Sequence, residues 1–301
     1  MSPSTDTPEP AFRHLKVFAN GVLLHVAVGG QGPALLLLHG WLGSSYSWRR
    51  VMPALAAHFT VIVPDARGYG DSAKPDAGYD GLTIKDDLRQ LLHTLGHRQA
   101  FVMGHDMGAP VALLYAAHHP DEVLGVGYFD EPLLGFNLER FTAFRADNPF
   151  VYWWFAFNAT PHVAALLWEG KEARMVDHLL TAMVADPRSI SAADKAEYVR
   201  GLRTPGGLHG SFGWYRDSLR TAQQTVEALT GRVLTVPLLA LNGQYGHPGV
   251  REQFEGLVAL VEGTTIPGAG HLIAEEQPAA VVAEIVAFGR RHAGRLAEGL
   301  P

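Results

Sequence analysis

An aspartate and a histidine stand out in this chain because of the turns that carry them. The aspartate lies in Phe101-Val102-Met103-Gly104-His105-Asp106-Met107-Gly108-Ala109, where a strand-like apolar run passes through Gly-x-Asp-x-Gly into a helical stretch. This has the form of a nucleophile elbow with Asp at its centre. Such a turn strains the central residue, and a side chain at Gly104 or Gly108 would strike the neighbouring backbone. The carboxylate then projects into the crevice where open α/β sheets bind ligands. An Asp between strand and helix is also an ordinary N-cap, so the pentapeptide needs supporting residues elsewhere.

Three further segments bear on it. In Ile266-Pro267-Gly268-Ala269-Gly270-His271-Leu272 a late strand gives way to a glycine-flanked histidine, which can reach an elbow as general base. The chain has 15 histidines, and chain order singles out His271: nucleophile first, an acid next, the histidine last. Leu37-Leu38-His39-Gly40-Trp41 ends another buried strand. In an elbow arrangement its loop donates one backbone N–H to a developing oxyanion and the residue after the nucleophile donates the other, here Trp41 and Met107. Asp65-Ala66-Arg67-Gly68-Tyr69-Gly70 reads as a structural loop held by its Asp and Arg. No Lys-Ser/Thr follows its glycines to cradle a phosphate.

These residues need a scaffold of buried strands and helices. Ala34–Leu38, Thr60–Val63, Ala100–Met103, Val123–Phe129 and Pro237–Leu241 are short and apolar throughout, as parallel strands covered on both faces are. Thr83–Leu95 and Ala109–His118 read as helices between them. The alternation stops after Phe129. Residues 133–220 are aromatic-rich and helix-like, and strand character returns at Val233–Leu241. The pattern predicts an α/β fold with a mostly parallel sheet and helices on both faces. Residues 11–132 and 221–301 would form its core and 133–220 a helical cap. A separate second domain is the weaker account, because the last stretch is too short for its own sheet.

His39-Gly40, Trp48, Met52-Pro53, Asp65-x-Arg67-Gly68-Tyr69-Gly70-x-Ser72, Gly104-His105-Asp106 and Gly270-His271 together resemble, in order and spacing, the α/β-hydrolase superfamily. The likeness is to its epoxide hydrolase and dehalogenase branch, which uses an Asp nucleophile. It covers most of residues 15–290 and is weakest in the insertion. A carboxylate that attacked an ester would form an anhydride, a poor route. Attack on an sp³ carbon bearing an epoxide oxygen or a halide forms a stable alkyl ester, which His271 then hydrolyses with water. The loop Leu241 to His247 holds no carboxylate for the triad. The resemblance, closest here to haloacetate dehalogenases and Cif-like epoxide hydrolases, implies an acid 24 positions beyond the nucleophile. That residue is Asp130, with Glu131 as the alternative.

Opening an epoxide also needs a proton donor, and relatives place two in the cap. Ser211-Phe212-Gly213-Trp214-Tyr215-Arg216 resembles one of those sites and implies Tyr215. Tyr152-Trp153-Trp154-Phe155 matches the other, with Trp154 where relatives carry His or Tyr. An indole N–H donates a hydrogen bond but gives up no proton, so Tyr152 is the alternative donor. Trp154, Trp153, Phe155 and His105 are expected to bind substrate. The alternative activity is a haloalkane or haloacid dehalogenase. Met107 and Pro110 stand where those enzymes carry a halide-binding Trp or carboxylate-binding Arg residues, which favours an apolar epoxide. Leu42 replaces the usual Pro of the oxyanion loop. A non-catalytic binding protein on the same fold is the third reading.

Composition narrows the partners. Lys+Arg number 24 and Asp+Glu 30 in 301 residues, a net charge of −6 that argues against nucleic acid or an anionic membrane surface. The absence of cysteine excludes disulfides, a thiol nucleophile and thiolate metal sites. His93/His97 and His118-His119 have no evident third ligand, so no metal and no cofactor is expected. Residues 1–10 read as a disordered tail without signal-peptide character, and the expectation is a cytoplasmic protein. Cap aromatics such as Trp168, if exposed, would offer a surface for a homodimer. On this reading Asp106→Asn abolishes turnover of epoxides, measured as diol release; unchanged turnover would refute it.

Overall fold

The central strands are apolar at every position because their alternate side chains serve two different cores. In β3 (Ala34–Leu38), Leu36 and Leu38 pack with helices Gly81–Thr94 and Gly108–His118 on one face of the sheet. Leu35 and Leu37 pack with helix Pro278–His292 on the other. The computed structural model that shows this describes residues 11–136 and 151–295, with side chains from Trp153 in the second segment. The expected disordered tail at residues 1–10 lies outside them.

The sheet has eight strands, in the order β1-β2-β4-β3-β5-β6-β7-β8. These are Arg13–Ala19, Val22–Gly29, Ala34–Leu38, Thr60–Pro64, Ala100–His105, Val123–Phe129, Leu238–Gly243 and Val261–Ile266, numbered in chain order. β2 runs antiparallel to β1 and β4, and all remaining pairs are parallel. The expected strands are all present, with β7 starting just after Pro237. That proline has no N–H to give a ladder, although its carbonyl accepts from Val126 N at 2.9 Å. β1 and β2 were not among the strands expected from the apolar runs. In β1 exposed and polar positions separate the buried ones, and in β2 His25 interrupts an otherwise apolar run that is buried at its last four positions. Their signal was Asn20-Gly21, which turns with φ of 48° and 79° between paired Ala19 and Val22.

Between β6 and β7 the regular elements of the described residues are helices, including Val151–Ala159, Val163–Trp168, Glu172–Met183, Ala192–Arg203 and Gly213–Arg216, with a lone β-bridge from Leu234 to Val258 just before β7. Helix Ser218–Leu229 passes through position 220 and lies on helices Gly81–Thr94 and Gly108–His118. Gly81 N donates to Thr221 Oγ1 at 2.9 Å and Gln224 Nε2 to Asp80 Oδ1 at 2.6 Å, which ties it to the core. Polar bonds also join the helical segment to the sheet's other loops. Tyr46 Oη donates to Asp194 at 2.8 Å, and Glu275 takes Arg49 and the hydroxyl of Tyr198. Trp168, considered above as an exposed pairing surface, is instead fully buried, with its ring edge-to-face on Trp41 and Phe212 at 5.5 Å from each. No helix among the described residues is long and apolar enough to cross a membrane.

The loop after β4 is built as its Asp and Arg suggested. Asp65 accepts from Ser45 N at 2.7 Å, Asp71 N at 2.8 Å and His25 Nδ1 at 2.8 Å. Arg67 pairs with Asp87, and both are buried. Removing one partner strands a buried charge, which costs about 3–5 kcal/mol. Arg67→Ala should therefore lower unfolding stability by that amount in urea, and a cost under about 1 kcal/mol would show that the pair is not a structural clamp.

Candidate active site

The elbow follows from close backbone approaches. Asp106 N donates to Phe129 O at 3.0 Å while Asp106 O accepts from Ala109 N at 2.8 Å, so the residue belongs to neither strand nor helix. Its φ is +51°, a strained value for a residue with a side chain. A Cβ on Gly104 would lie 2.2 Å from Gly108 O, and one on Gly108 would lie 2.4 Å from His39 O. Gly40 leaves room for the Asp106 carboxylate, since a Cβ there would meet Asp106 Oδ1 at 2.4 Å. Trp41 N donates to Asp106 Oδ1 at 2.6 Å, and Met107 N–H also bonds the carboxylate. Leu42 has φ +65°. Proline is locked near −65°, so a Pro at this position cannot take the conformation seen.

His271 Nε2 lies 3.3 Å from Asp106 Oδ2, and His271 Nδ1 lies 3.0 Å from Asp130 Oδ1. Asp130 stands at the end of β6 with φ +49° and donates its N–H to Leu241 O at 2.8 Å. Its carboxylate also accepts from Gly243 N at 2.5 Å and His247 N at 2.7 Å. The loop after β7, which has no carboxylate of its own, thus supplies donors to one from β6. Its glycines make this possible: a Cβ on Gly246 would lie 2.2 Å from Asp130 Oδ2. Sequence reasoning missed these donors, although the spacing of Gly243 and Gly246 carried the signal.

Glu131 is buried, and Oε1 has no hydrogen-bond partner. Burial, with the charges of Asp106 and Asp130, pushes its carboxyl well above the usual range. The carboxylate that His271 Nδ1 meets is that of Asp130.

Burial opposes charge on His271, but hydrogen bonds to Asp106 and Asp130 and their two charges outweigh it and push the imidazole well up. Burial likewise opposes ionisation of Asp106, and His271 and the Met107 N–H bring it below the usual carboxylate value. The two form a buried ion pair. His271 is pinned through its backbone as well: His271 N donates to Met183 O at 2.7 Å, and its carbonyl meets His105 Nε2 at 2.8 Å. His105, expected to bind substrate, lines a cavity with Gly40, Trp41 and Leu272 and also sets its ring against His271, with centroids 4.7 Å apart. Burial and the His271 charge hold His105 down to about 4, so it is neutral and donates this bond.

On the cap side Tyr215 and Trp154 are both buried, and Trp154 Nε1 donates to Tyr215 Oη at 2.8 Å. Burial and the Asp106 charge push the phenol well above its ordinary value, although the Trp154 bond opposes them. Phe155 sets its ring on Tyr215 with centroids 5.6 Å apart. Trp153 packs on Trp154 and Phe157 and is 41% exposed, so the structure does not bring it into the triad's surroundings. The side chain of Tyr152 lies outside the described residues. One contact was not foreseen: the ring of Trp41 lies edge-to-face on Trp154 and on Tyr215, at 5.0 and 5.5 Å.

A carboxylate on an elbow, with a histidine and a second carboxylate behind it, at the carboxyl ends of a parallel sheet has the arrangement of a hydrolase site. Comparison with known proteins agrees. The family described as alpha/beta hydrolase fold matches residues 33–158. A soluble epoxide hydrolase from Corynebacterium sp. (strain C12) is 34% identical over 281 residues, covering 91% of this chain and 96% of the relative. A fluoroacetate dehalogenase from Burkholderia sp. is 30% identical, covering 78% of this chain and 79% of the relative. The crystal structure of Cfl2 from Burkholderia cenocepacia superposes with a TM-score of 0.89 at 34% identity, covering 94% of this chain and 97% of that one. The chain belongs to the α/β-hydrolase family, on the branch that includes the soluble epoxide hydrolases.

The ion pair makes a direct prediction. Asp106→Asn removes one of the two charges that raise His271, so its pKa should fall by at least about one pH unit toward 6.5. Ring-carbon chemical shifts in an NMR titration read this, and an unmoved titration would mean that the two groups are not paired.

Proposed function

We propose that this enzyme is an epoxide hydrolase that converts an apolar epoxide to a vicinal diol through an ester on Asp106. The observation that carries the reading is the setting of that carboxylate. Trp41 N–H holds Oδ1, and His271 stands 3.3 Å from Oδ2 with Asp130 behind it. A carboxylate in an oxyanion site suits a mechanism in which its own carbon later becomes tetrahedral.

Asp106 Oδ2 attacks a ring carbon. The C–O bond breaks with its electron pair going to oxygen, and Tyr215 gives that oxygen its proton. Esterification removes the Asp106 charge, and with it a main cause of the raised His271 value. The imidazolium then releases its proton, which restores the phenol of Tyr215. Neutral His271 takes a proton from water, which attacks the ester carbon. The Trp41 and Met107 N–H groups stabilise the oxyanion on Oδ1. Collapse frees the diol and returns Asp106 carboxylate and His271 imidazolium, so charges and protons balance over the cycle. Asp130 holds the imidazole in the required tautomer and stabilises its charged form.

Residues 133–220 act as a cap that carries Tyr215 over the nucleophile, and Tyr152 remains the alternative second donor. The cell interior is the proposed location. The second reading is a dehalogenase by the same ester, favoured by the fluoroacetate dehalogenase relative and by the adjacent N–H of Trp154 and O–H of Tyr215.

The test uses His271→Gln, which should stall at the ester, and epibromohydrin, which offers both an epoxide and a C–Br bond. Mass spectrometry of the Asp106 peptide should find an adduct that keeps bromine. Loss of bromide would favour the dehalogenase, with a bromine-free epoxide as control for re-closure of the bromohydrin. No adduct from either compound would point to a non-catalytic protein.

A further inference from the structure

Trp154 stands where a second proton donor was expected, yet an indole releases no proton. Its N–H does not stand apart from Tyr215. It meets the phenolic oxygen at 2.8 Å, between two side chains that are 7% and 3% exposed. A phenolic oxygen can accept from one neighbour and donate its own hydrogen to another. With the indole on one side, the Tyr215 hydrogen must point elsewhere. Around this pair the rings of Trp41 and Phe155 restrict movement: Trp41 touches both partners, and Phe155 touches Tyr215. Trp41 is also the residue whose backbone N–H holds Asp106 Oδ1. One residue thus fixes the nucleophile with its main chain and the cap pair with its ring.

We propose that Trp154 is a positioning residue that acts through Tyr215, aiming the phenol hydrogen at the epoxide oxygen and stabilising the phenolate left behind when that hydrogen is transferred. The inference rests on the epoxide hydrolase reading. During ring opening the bond from carbon to Asp106 Oδ2 forms and the ring C–O bond breaks. The Tyr215 proton moves to the leaving oxygen, and negative charge appears on Tyr215 Oη. The hydrogen bond from Trp154 then runs to an anion, and such bonds are shorter and about twice as strong as neutral ones. Trp154 therefore favours the transition state over the ground state, which is the condition for accelerating a step rather than merely binding. One donor with an indole behind it takes the place of two donors side by side.

The experiment is a double-mutant cycle in the His271→Gln background, with the rate of Asp106 alkylation by 1,2-epoxyhexane followed by rapid quench and mass spectrometry. Trp154→Phe keeps an aromatic ring and removes the N–H. It should slow alkylation by about 10- to 100-fold, the worth of one hydrogen bond to a charged acceptor. Tyr215→Phe should slow it at least as much. The deciding figure is the double variant, which should react no more slowly than Tyr215→Phe alone, because Trp154 has then lost the group through which it works. If Trp154→Phe costs the same factor whether or not Tyr215 is present, Trp154 acts on the substrate or on packing, and the proposal fails. Should Trp154→Phe not fold, indole ¹⁵N spectra of the intact protein serve instead. The Trp154 N–H signal should shift in Tyr215→Phe, and an unmoved signal overturns the proposal. Absence of any epoxide ester in the His271→Gln parent would sink the epoxide reading itself, an outcome separate from these.

Discussion

Asp106 and Asp130 are both buried, and the imidazole of His271 lies between them. Desolvation of each charge costs several kcal/mol. A contact near 4 Å between opposite charges returns about 4 kcal/mol at an effective dielectric of about 20. One imidazolium facing two carboxylates collects that attraction twice, and backbone N–H groups take up carboxylate oxygens of both aspartates. The arrangement holds only if all three side chains stay in line. The raised value of His271 depends on Asp106 being charged, so on the proposed mechanism esterification of the aspartate would turn the histidine from acid to base.

Much of the backbone near the site serves that alignment. Asp106 and Asp130 both have positive φ, at the ends of adjacent parallel strands β5 and β6. The strain is local, and packing around it is tight. Gly40, Gly104, Gly108 and Gly246 each sit where a methyl group would collide with backbone or with a triad carboxylate. The loop bearing His271 is gripped from the helical segment through Met183 and from the elbow strand through His105. The strained Asp106, His271 and the helices above them therefore form one interlocked unit.

The helical segment contributes a different kind of order. Its link to the core is polar at Glu275, Arg49, Asp194 and Tyr198, and aromatic around Trp41. Tyr215 and Trp154 come from separate helices that meet over the sheet, and the buried ring of Trp41 supports both.

Several features were legible from residue order alone because they are local. Gly-x-Asp-x-Gly after an apolar strand has the form of an elbow, which His39-Gly40 and Gly270-His271 in order supported against an ordinary N-cap, and five apolar strand runs point to a sheet covered on both faces. The choice of Asp at the elbow already set the reaction class. The Asn20-Gly21 hairpin was equally local, though the charged and exposed residues of β1 and His25 in β2 broke up its apolar pattern. What only the tertiary structure decided were encounters between distant segments. Asp130 rather than Glu131 meets His271, because Asp130 lies in line with donors from a loop 113 residues further on. His105 turns to the His271 carbonyl, Trp168 is buried against Trp41, and Trp154 bonds Tyr215 across 61 residues of chain. No pattern of spacing specifies such contacts, because the direction in which a side chain points is set by the packing of elements that are far apart in sequence.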